Sequence, residues 1–322
     1  MKQMLSYKDI VLLPSYSEIR SRDDVNTEIN FLGFKFKSPA VPANMACCID
    51  FKTAETLGSG GYFYILHRFY DYYTQILPWI MKNQEKFPIS ISVGVKEDDR
   101  DFLQRLSESC FKIDFITIDV AHGHHILVKE LCEFFHKLDW KNKPKLIVGN
   151  FGSSEGVNSA IEWGADAVKV GLSMGAACTT YNSTGVGTPM YSIVNEIHLD
   201  CDFPIIADGQ IREIGDIAKA IRAGASMVMI GSMFAACKDS PAEFNFYGTH
   251  KLFYGSASSK NKGYDKYVEG KESYLECNKL DILELHEKIE QGLRSSMSYA
   301  GVDHVYDLKQ MEVAQRYDQR PN

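Results

Sequence analysis

PIIADGQIREIGDIAKAIRAGASMVMIGS, residues 204–232, holds one complete folding unit and the start of the next. A short apolar run, PIIA, ends in Asp208–Gly209. Glu213–Arg222 then carries apolar residues at three-to-four spacing, the signature of an amphipathic helix. Gly224 follows as a helix stop, and a second apolar run, MVMI, begins. EWGADAVKV, residues 162–170, repeats the device of helix, Gly stop and strand. Working outward, eight such runs appear: Ala40–Ala46, Tyr62–His67, Ile89–Val95, Phe115–Val120, Lys145–Asn150, Ala167–Gly171, Pro204–Gly209 and Met227–Ser232. Their interiors are continuous Val/Ile stretches, as expected of parallel strands buried on both faces. Helices are expected over Glu97–Ser109 and Ser153–Trp163 as well. Eight β-then-α units predict an α/β fold, a (β/α)₈ TIM barrel, over an open doubly wound sheet, which normally uses fewer parallel strands.

Composition sets the outer bounds. The chain has 322 residues, 45% hydrophobic and 24% charged, with a formal net charge of -7. Neither a basic excess nor a basic stripe is present, so no nucleic-acid partner is expected. Apolar runs such as VKVG and MVMIG fall far short of the ~18 residues a membrane span requires, and MKQMLSYKDIVLL lacks the long apolar segment of a secretory signal. The eight Cys (47, 48, 110, 132, 178, 201, 237, 277) form no CxxC pair. Reduced thiols in a cytoplasmic setting are the expectation. Eight units consume the chain to about Ser232, so residues 1–322 are read as one catalytic barrel without an inserted regulatory domain. Tyr247–Cys277, polar and weakly patterned, reads as a long functional loop and Asp281–Tyr299 as a C-terminal helix.

A barrel places chemistry in the loops that leave the C-terminal ends of its strands. Here these begin at Asn44, His67, Gly94, Asp119, Asn150, Gly171, Asp208 and Gly231. The loop after strand six, VGLSMGAACTTYNSTGVGTP, presents Cys178 among small residues, with Thr179 and Thr180 beside it. A free Cys is usually a small buried hydrophobe; its place at a strand end raises Cys178 above the other seven. After strand seven, Asp208 is suited to hold a ribose diol and Gly209 to let a phosphate approach. Gly231–Ser232 after strand eight completes the recurrent phosphate site of such barrels. The plainer alternative is that Asp208 caps a helix and the glycines only make turns. DVAHGHH, residues 119–125, has three His but no recognised metal spacing. Lys169 inside strand six is the only hint of a Schiff-base lyase.

Taken together, LSYKDIVLLPSYSEIRSR, SPAVPANM, FYILHRF, ISVGVKED, ITIDVAHGH, VGLSMGAACTTYNSTGVG, PIIADGQIREIGDIAKAIRAGASMVMIGS, KLFYGSAS and RSSMSYAG resemble the IMP dehydrogenase / GMP reductase family nearly end to end. The resemblance implies a barrel, usually a homotetramer, that acts on purine nucleotides, with a mobile flap (about residues 255–277) after strand eight. Only Arg68–Pro88 separates strands two and three, too little for the regulatory insertion of family dehydrogenases. Gly255–Gly270 contains no Arg for the dehydrogenases' water-activating Arg–Tyr pair. Both features resemble the reductase branch, in the form found in many bacteria. The implied reaction is NADPH-dependent conversion of GMP to IMP and ammonia through a Cys thioimidate. A dehydrogenase without its insertion, and a nucleotide-binding barrel that has lost catalysis, are the alternatives.

By motif, the resemblance implies Cys178 as nucleophile with Thr180 and Glu269 as the proton-transfer pair. It implies Asp208, Gly209, Gln210, Gly231, Ser232, Tyr254, Gly255, Ser256, Ala257, Lys266 and Gly270 around the substrate. Asp119, Val120 and Ala121 match a nicotinamide-contacting strip, and Ser295, Ser296 and Tyr299 a further cofactor region. Arg68 is a candidate for the extra phosphate of NADPH. Backbone carbonyls of Ser173, Gly175 and Cys178 match a potassium site of some relatives. Ser173, Met174 and Ala176 depart from the family loop, and Gln210 replaces a Gly. A left-handed backbone is expected at Gln210, at a cost of roughly 1–2 kcal/mol for a side-chain-bearing residue.

Overall fold

The computed structural model of the chain describes residues 3–172, 175, 178–258, 260 and 269–316. Seven parallel strands form one curled sheet in the order Ala40–Pro42, Met227–Ile230, Ile205–Asp208, Ala167–Val170, Lys145–Phe151, Phe115–Asp119, Ser90–Val93. The remaining expected run, Tyr62–His67, contributes a single parallel bridge, Leu66 to Ile91, on the free edge of Ser90–Val93. Met227–Ile230 pairs with both Ile205–Asp208 and Ala40–Pro42, so the last strand returns to the first. This is the (β/α)₈ barrel. The strands at its heart, Ser90–Val93, Ala167–Val170 and Met227–Ile230, are buried at every residue, which is why their sequences do not alternate.

Each strand feeds a helix. Phe51–Gly60, Leu77–Asn83, Glu97–Glu108, Ile126–Lys137, Ser154–Glu162, Met190–Asp200 and Ile214–Arg222 follow the first seven, and Ser232–Ala235 the eighth. The ends match local chemistry. Asp50, Ser153 and Asp281 accept backbone N–H groups as N-caps, and Gly61 and Gly301 close helices in left-handed conformation. The long helix Ile282–Ala300 packs against Ile214–Arg222 and Phe51–Gly60 on the outside. No helix among the described residues is long and apolar enough to cross a membrane.

Two features were not expected from sequence. The stretch read as a long loop is rooted in an antiparallel ladder, His250–Tyr254 against Glu272–Glu276. Its alternating exposure (Glu272, Tyr274 and Glu276 carry little periodic apolar signal) hid the strand Glu272–Glu276. The second feature is a hairpin, Ile29–Phe31 with Phe34–Phe36, that covers the end where the strands begin. There Phe34 lies 4.7 Å from Phe115, and Phe63 lies 5.4 Å from Phe31, 5.1 Å from Phe36 and 5.1 Å from Phe115, centroid to centroid. Edge-to-face and tilted rings at these distances attract beyond their area burial.

Candidate active site

The opposite end, where the strands finish, is open. A cleft there has two communicating chambers that share Met45, Ala121, Asp208, Ser256 and Glu269. The first, of about 210 Å³, is lined by Cys178, Thr180, Gly209, Gln210, Arg212, Gly231, Ser232 and Gly255. The second, of about 470 Å³, is lined by Asn44, Arg68, Asp119, Val120, Asn150 and Lys169.

Strand six ends at Val170, and Gly171 turns the chain at φ +145. A side chain at Gly171 would collide with the Asp208 carbonyl, so glycine is required where the two loops meet. Beyond it, Cys178 bridges Gly270 of the flap in antiparallel fashion, and the Thr179 N–H donates to the Glu269 carbonyl at 2.9 Å. This local ladder aligns three side chains. The Cys178 thiol donates to Thr180 Oγ1 at 3.2 Å, and the Thr180 hydroxyl donates to Glu269 Oε2 at 2.7 Å. A side chain at Gly270 would meet the Ser258 amide at 2.7 Å, so the flap strand lies flush against the turn Gly255–Ser258. A thiol, a hydroxyl and a carboxylate in line form a proton path from a nucleophile to a base.

Asp208 does not cap a helix. The helix that follows has Glu213 at its N-cap, with Asp216 of the first turn accepting from the Arg212 and Glu213 amides. Asp208 instead accepts from Asn150 Nδ2 at 2.8 Å and lies 3.3 Å from Lys169 Nζ. Lys169 is 2% exposed, donates to Asp119 Oδ1 at 2.7 Å and to Asn44 Oδ1 at 3.0 Å. Burial alone would raise the Asp119 carboxyl, but the Lys169 ammonium and its hydrogen bond outweigh it and hold the acid below the usual carboxylate range. Burial likewise opposes charge on Lys169, and the two carboxylates outweigh it, holding the amine above its ordinary value. A lyase would need this amine neutral and within reach of a substrate, so the Schiff-base reading has no support.

Gln210 has φ +62, the left-handed backbone expected at this position. Its side chain recovers part of the cost by accepting the Met190 N–H at 3.1 Å. The structure thus gathers Cys178, Thr180, Glu269, Asp208, Gly209, Gln210, Gly231, Ser232, Gly255, Ser256, Ala257, Gly270, Asp119, Val120 and Ala121 in or beside one cleft. Tyr254 stands just behind it, its carbonyl accepting the Cys47 thiol at 3.3 Å. Ser295, Ser296 and Tyr299 are not brought there. They sit on the outer helix Ile282–Ala300, where both serine hydroxyls donate to their own helix and Tyr299 is 62% exposed. Arg68 lines the same chamber as Asp119, Val120 and Ala121. Lys266 and Ser173, like Met174 and Ala176, lie outside the described residues. His125 of the three-His segment caps the helix Ile126–Lys137 by accepting the Leu127 N–H. Sequence reasoning did not single out Arg212, Asn44 or Asn150, and it undervalued Lys169. A cation inside a VKV run of a buried strand was the available signal, because such a charge is tolerated only when paired.

Comparison with known proteins agrees with this geometry. The sequence matches the family described as IMP dehydrogenase / GMP reductase domain over residues 4–319. It is 40% identical over 315 residues to the GMP reductase of Staphylococcus carnosus (strain TM300), covering 96% of this chain and 95% of the relative. The GMP reductase of Mesoplasma florum is 40% identical over 312 residues, at 95% and 96% coverage. That of Staphylococcus aureus (strain JH9) is 41% identical over 316 residues, at 96% and 95%.

Proposed function

Since the chain belongs to the IMP dehydrogenase / GMP reductase family, we propose that it is a GMP reductase, an oxidoreductase that converts GMP to IMP and ammonia with a nicotinamide cofactor. The observation that carries this reading is the Cys178–Thr180–Glu269 chain, at 3.2 and 2.7 Å, facing the cleft.

In this reading Cys178 Sγ attacks C2 of the guanine ring. A C–S bond forms, the C–N bond to the 2-amino group breaks, and a thioimidate remains. The thiol proton passes through Thr180 to Glu269 and returns by the same path to the departing nitrogen, so ammonia leaves neutral with no net proton consumed. Asp208 accepts from the ribose hydroxyls, while backbone N–H groups of Gly209, Gln210, Gly231 and Ser232 surround the phosphate with Arg212 beside them. With a net charge of -7, the chain offers no global attraction for an anion, so these local dipoles and Arg212 supply it.

The second chamber fits a nicotinamide ring. Asp119, ionised beside Lys169, offers an acceptor to a carboxamide N–H₂, and Val120 and Ala121 offer an apolar wall. The bound cofactor, NADPH in this proposal, supplies a hydride to C2. Cys178 then leaves as thiolate and regains its proton from solvent, the one proton the whole reaction consumes. The turn Gly255–Ser258, held by the Ser258 N–H to Gly255 O bond at 3.0 Å, covers the reacting centre and excludes water. Potassium would use the carbonyls of Ser173, Gly175 and Cys178. Gly175 O already accepts the Cys178 N–H at 3.1 Å, and its second lone pair would serve the ion. We also propose one barrel domain, a homotetramer and a cytoplasmic location. Supporting these are Phe246 and Tyr247, 97% and 80% exposed on one turn, and eight free thiols, which suit a reducing compartment.

The deciding experiment offers the purified chain GMP with NADPH, and IMP with NAD. NADPH consumption with stoichiometric ammonia release supports the reductase. NADH formation from IMP alone assigns a dehydrogenase, and neither activity leaves a nucleotide-binding barrel. Replacing NADPH by NADH, and potassium by lithium, tests the two finer assignments.

A further inference from the structure

We propose that Lys169 is a positioning residue that holds Asp119 and Asp208 as one unit, so that the nucleotide side and the cofactor side of the cleft are built together. This rests on the roles given above to the two carboxylates.

The geometry is that of a strut across the barrel. Lys169 rises from the strand Ala167–Val170. Asp208 ends the adjacent strand; Asp119 ends a strand two positions away, and Asn44 follows Ala40–Pro42, three positions away on the other side. One ammonium has three N–H donors. Here two of them donate to Asp119 Oδ1 at 2.7 Å and Asn44 Oδ1 at 3.0 Å, and the ammonium lies 3.3 Å from Asp208 Oδ2 as an ion pair. The ammonium is thus held by residues at the ends of three other strands. Lys169 itself is 2% exposed, whereas Asp119 and Asp208 are 16% and 23% exposed at their side chains. The lysine therefore lies beneath the carboxylates it holds, and acts on ligands only through them. Asn150 braces the same unit, its Nδ2 donating to Asp208 at 2.8 Å and to the Gly171 carbonyl at 3.0 Å. The backbone leaves no room for a substitute placement, since a side chain at Gly149 of the neighbouring strand would strike Lys169 Cβ.

Charge makes the coupling reciprocal. Two partly buried carboxylates share one cation, with Arg68 and Glu269 as the other charged groups on the chamber wall. A ligand that draws hydrogen bonds to Asp208 frees more of the ammonium for Asp119, and a ligand on Asp119 does the converse.

The test uses the full chain, assayed with GMP and NADPH, in a cycle of Lys169→Met, Asp119→Asn and the double variant. Lys169→Met is expected to raise KM for both ligands by about tenfold or more. It is also expected to move the acid limb of the pH–rate profile up by about one pH unit, because Asp119 loses its cation. Asp119→Asn should raise KM for the cofactor alone. In the double variant the cofactor KM should stay within about twofold of Asp119→Asn, the signature of a residue acting through another. Lys169→Arg, which keeps the cation, should recover both KM values. A folded Lys169→Met with both KM values and the acid limb unmoved overturns the proposal. Effects that multiply in the double variant, or a folded Lys169→Arg that recovers nothing, overturn it too. Should Lys169→Met not fold, the double variant strands one carboxylate fewer and gives the same comparison against Asp119→Asn. A native chain that consumes no NADPH with GMP refutes the functional reading itself, before any variant is read.

Discussion

Where its strands begin, the barrel is closed by Phe31, Phe34, Phe36, Phe63 and Phe115; where they finish, its interior holds Lys169, Asp119, Asp208 and Asn44. Both ends fill the same kind of space between the same strands. At the first end the contacts are apolar and non-directional, and what matters is filled volume. At the second Lys169, Asp119 and Asp208 depend on named partners at close distance, and a lost partner leaves a stranded charge. One end therefore carries stability without reactivity, and the other spends stability on a fixed arrangement of charge. The division matches the general rule that barrel chemistry lies at the C-terminal face.

Substitutions at the two ends should separate these properties. The largest effect is expected from Cys178→Ala, which removes the nucleophile: GMP-dependent NADPH consumption should fall by on the order of 10⁴-fold or more. A covalent adduct is expected by intact mass when the native chain is given substrate, and it should be absent from Cys178→Ala, with thermal stability unchanged. Glu269→Gln keeps the shape of the relay and removes its base, so kcat should drop roughly 10²–10⁴-fold while nucleotide binding by calorimetry holds. At the apolar end Phe115→Ala should cost about 3–5 kcal/mol in denaturant unfolding and leave kcat within about twofold. A large loss of kcat there would break the contrast.

Acid should act through buried imidazoles, His67 among them. Burial, only partly opposed by Asp50, lowers the His67 imidazole to about 4 from an ordinary 6.5. The folded state thus binds its proton later than the unfolded state. The stability this represents is complete above pH ~6.5 and is lost as pH falls toward ~4, on the order of 3 kcal/mol in all. Unfolding free energies measured across that window should slope accordingly, and His67→Phe should remove its share of the slope, the remainder coming from the fully buried His286, whose imidazole burial lowers to about 3. The smallest effect is expected at Gln210→Gly. Relief of the left-handed backbone and loss of the bond to the Met190 N–H should cancel to within about 1 kcal/mol.

Much of this was legible in the sequence. Uninterrupted apolar runs such as MVMI named the buried parallel strands, and the Gly stops in EWGADAV and RAGASMV named the helix ends. Cys178, Asp208 and Asp119 could be placed because a barrel has only one face for chemistry. Partnership was not legible. Lys169, Asn44 and Asn150 lie 125 or fewer positions apart along the chain yet meet at one pair of carboxylates, and only the curl of the sheet brings them together. The phenylalanine closure stayed hidden for the same reason, since FKF beside a two-residue turn says nothing of which surface it will cover. The flap strand Glu272–Glu276 escaped because an exposed ladder needs no apolar alternation.

The strand Ile10–Leu12 pairs with Val313–Gln315, Ile10 opposite Gln315. About 300 residues of chain separate the two partners. On a ribosome adding roughly 5–20 residues per second, the earlier strand is made some 15–60 s before the later one exists. Through that interval its edge has no native partner, and the hoop around the barrel stays undone. The slowest contact to form is thus set by synthesis and not by diffusion, and in that window the nascent chain is most open to pairing with the wrong edge.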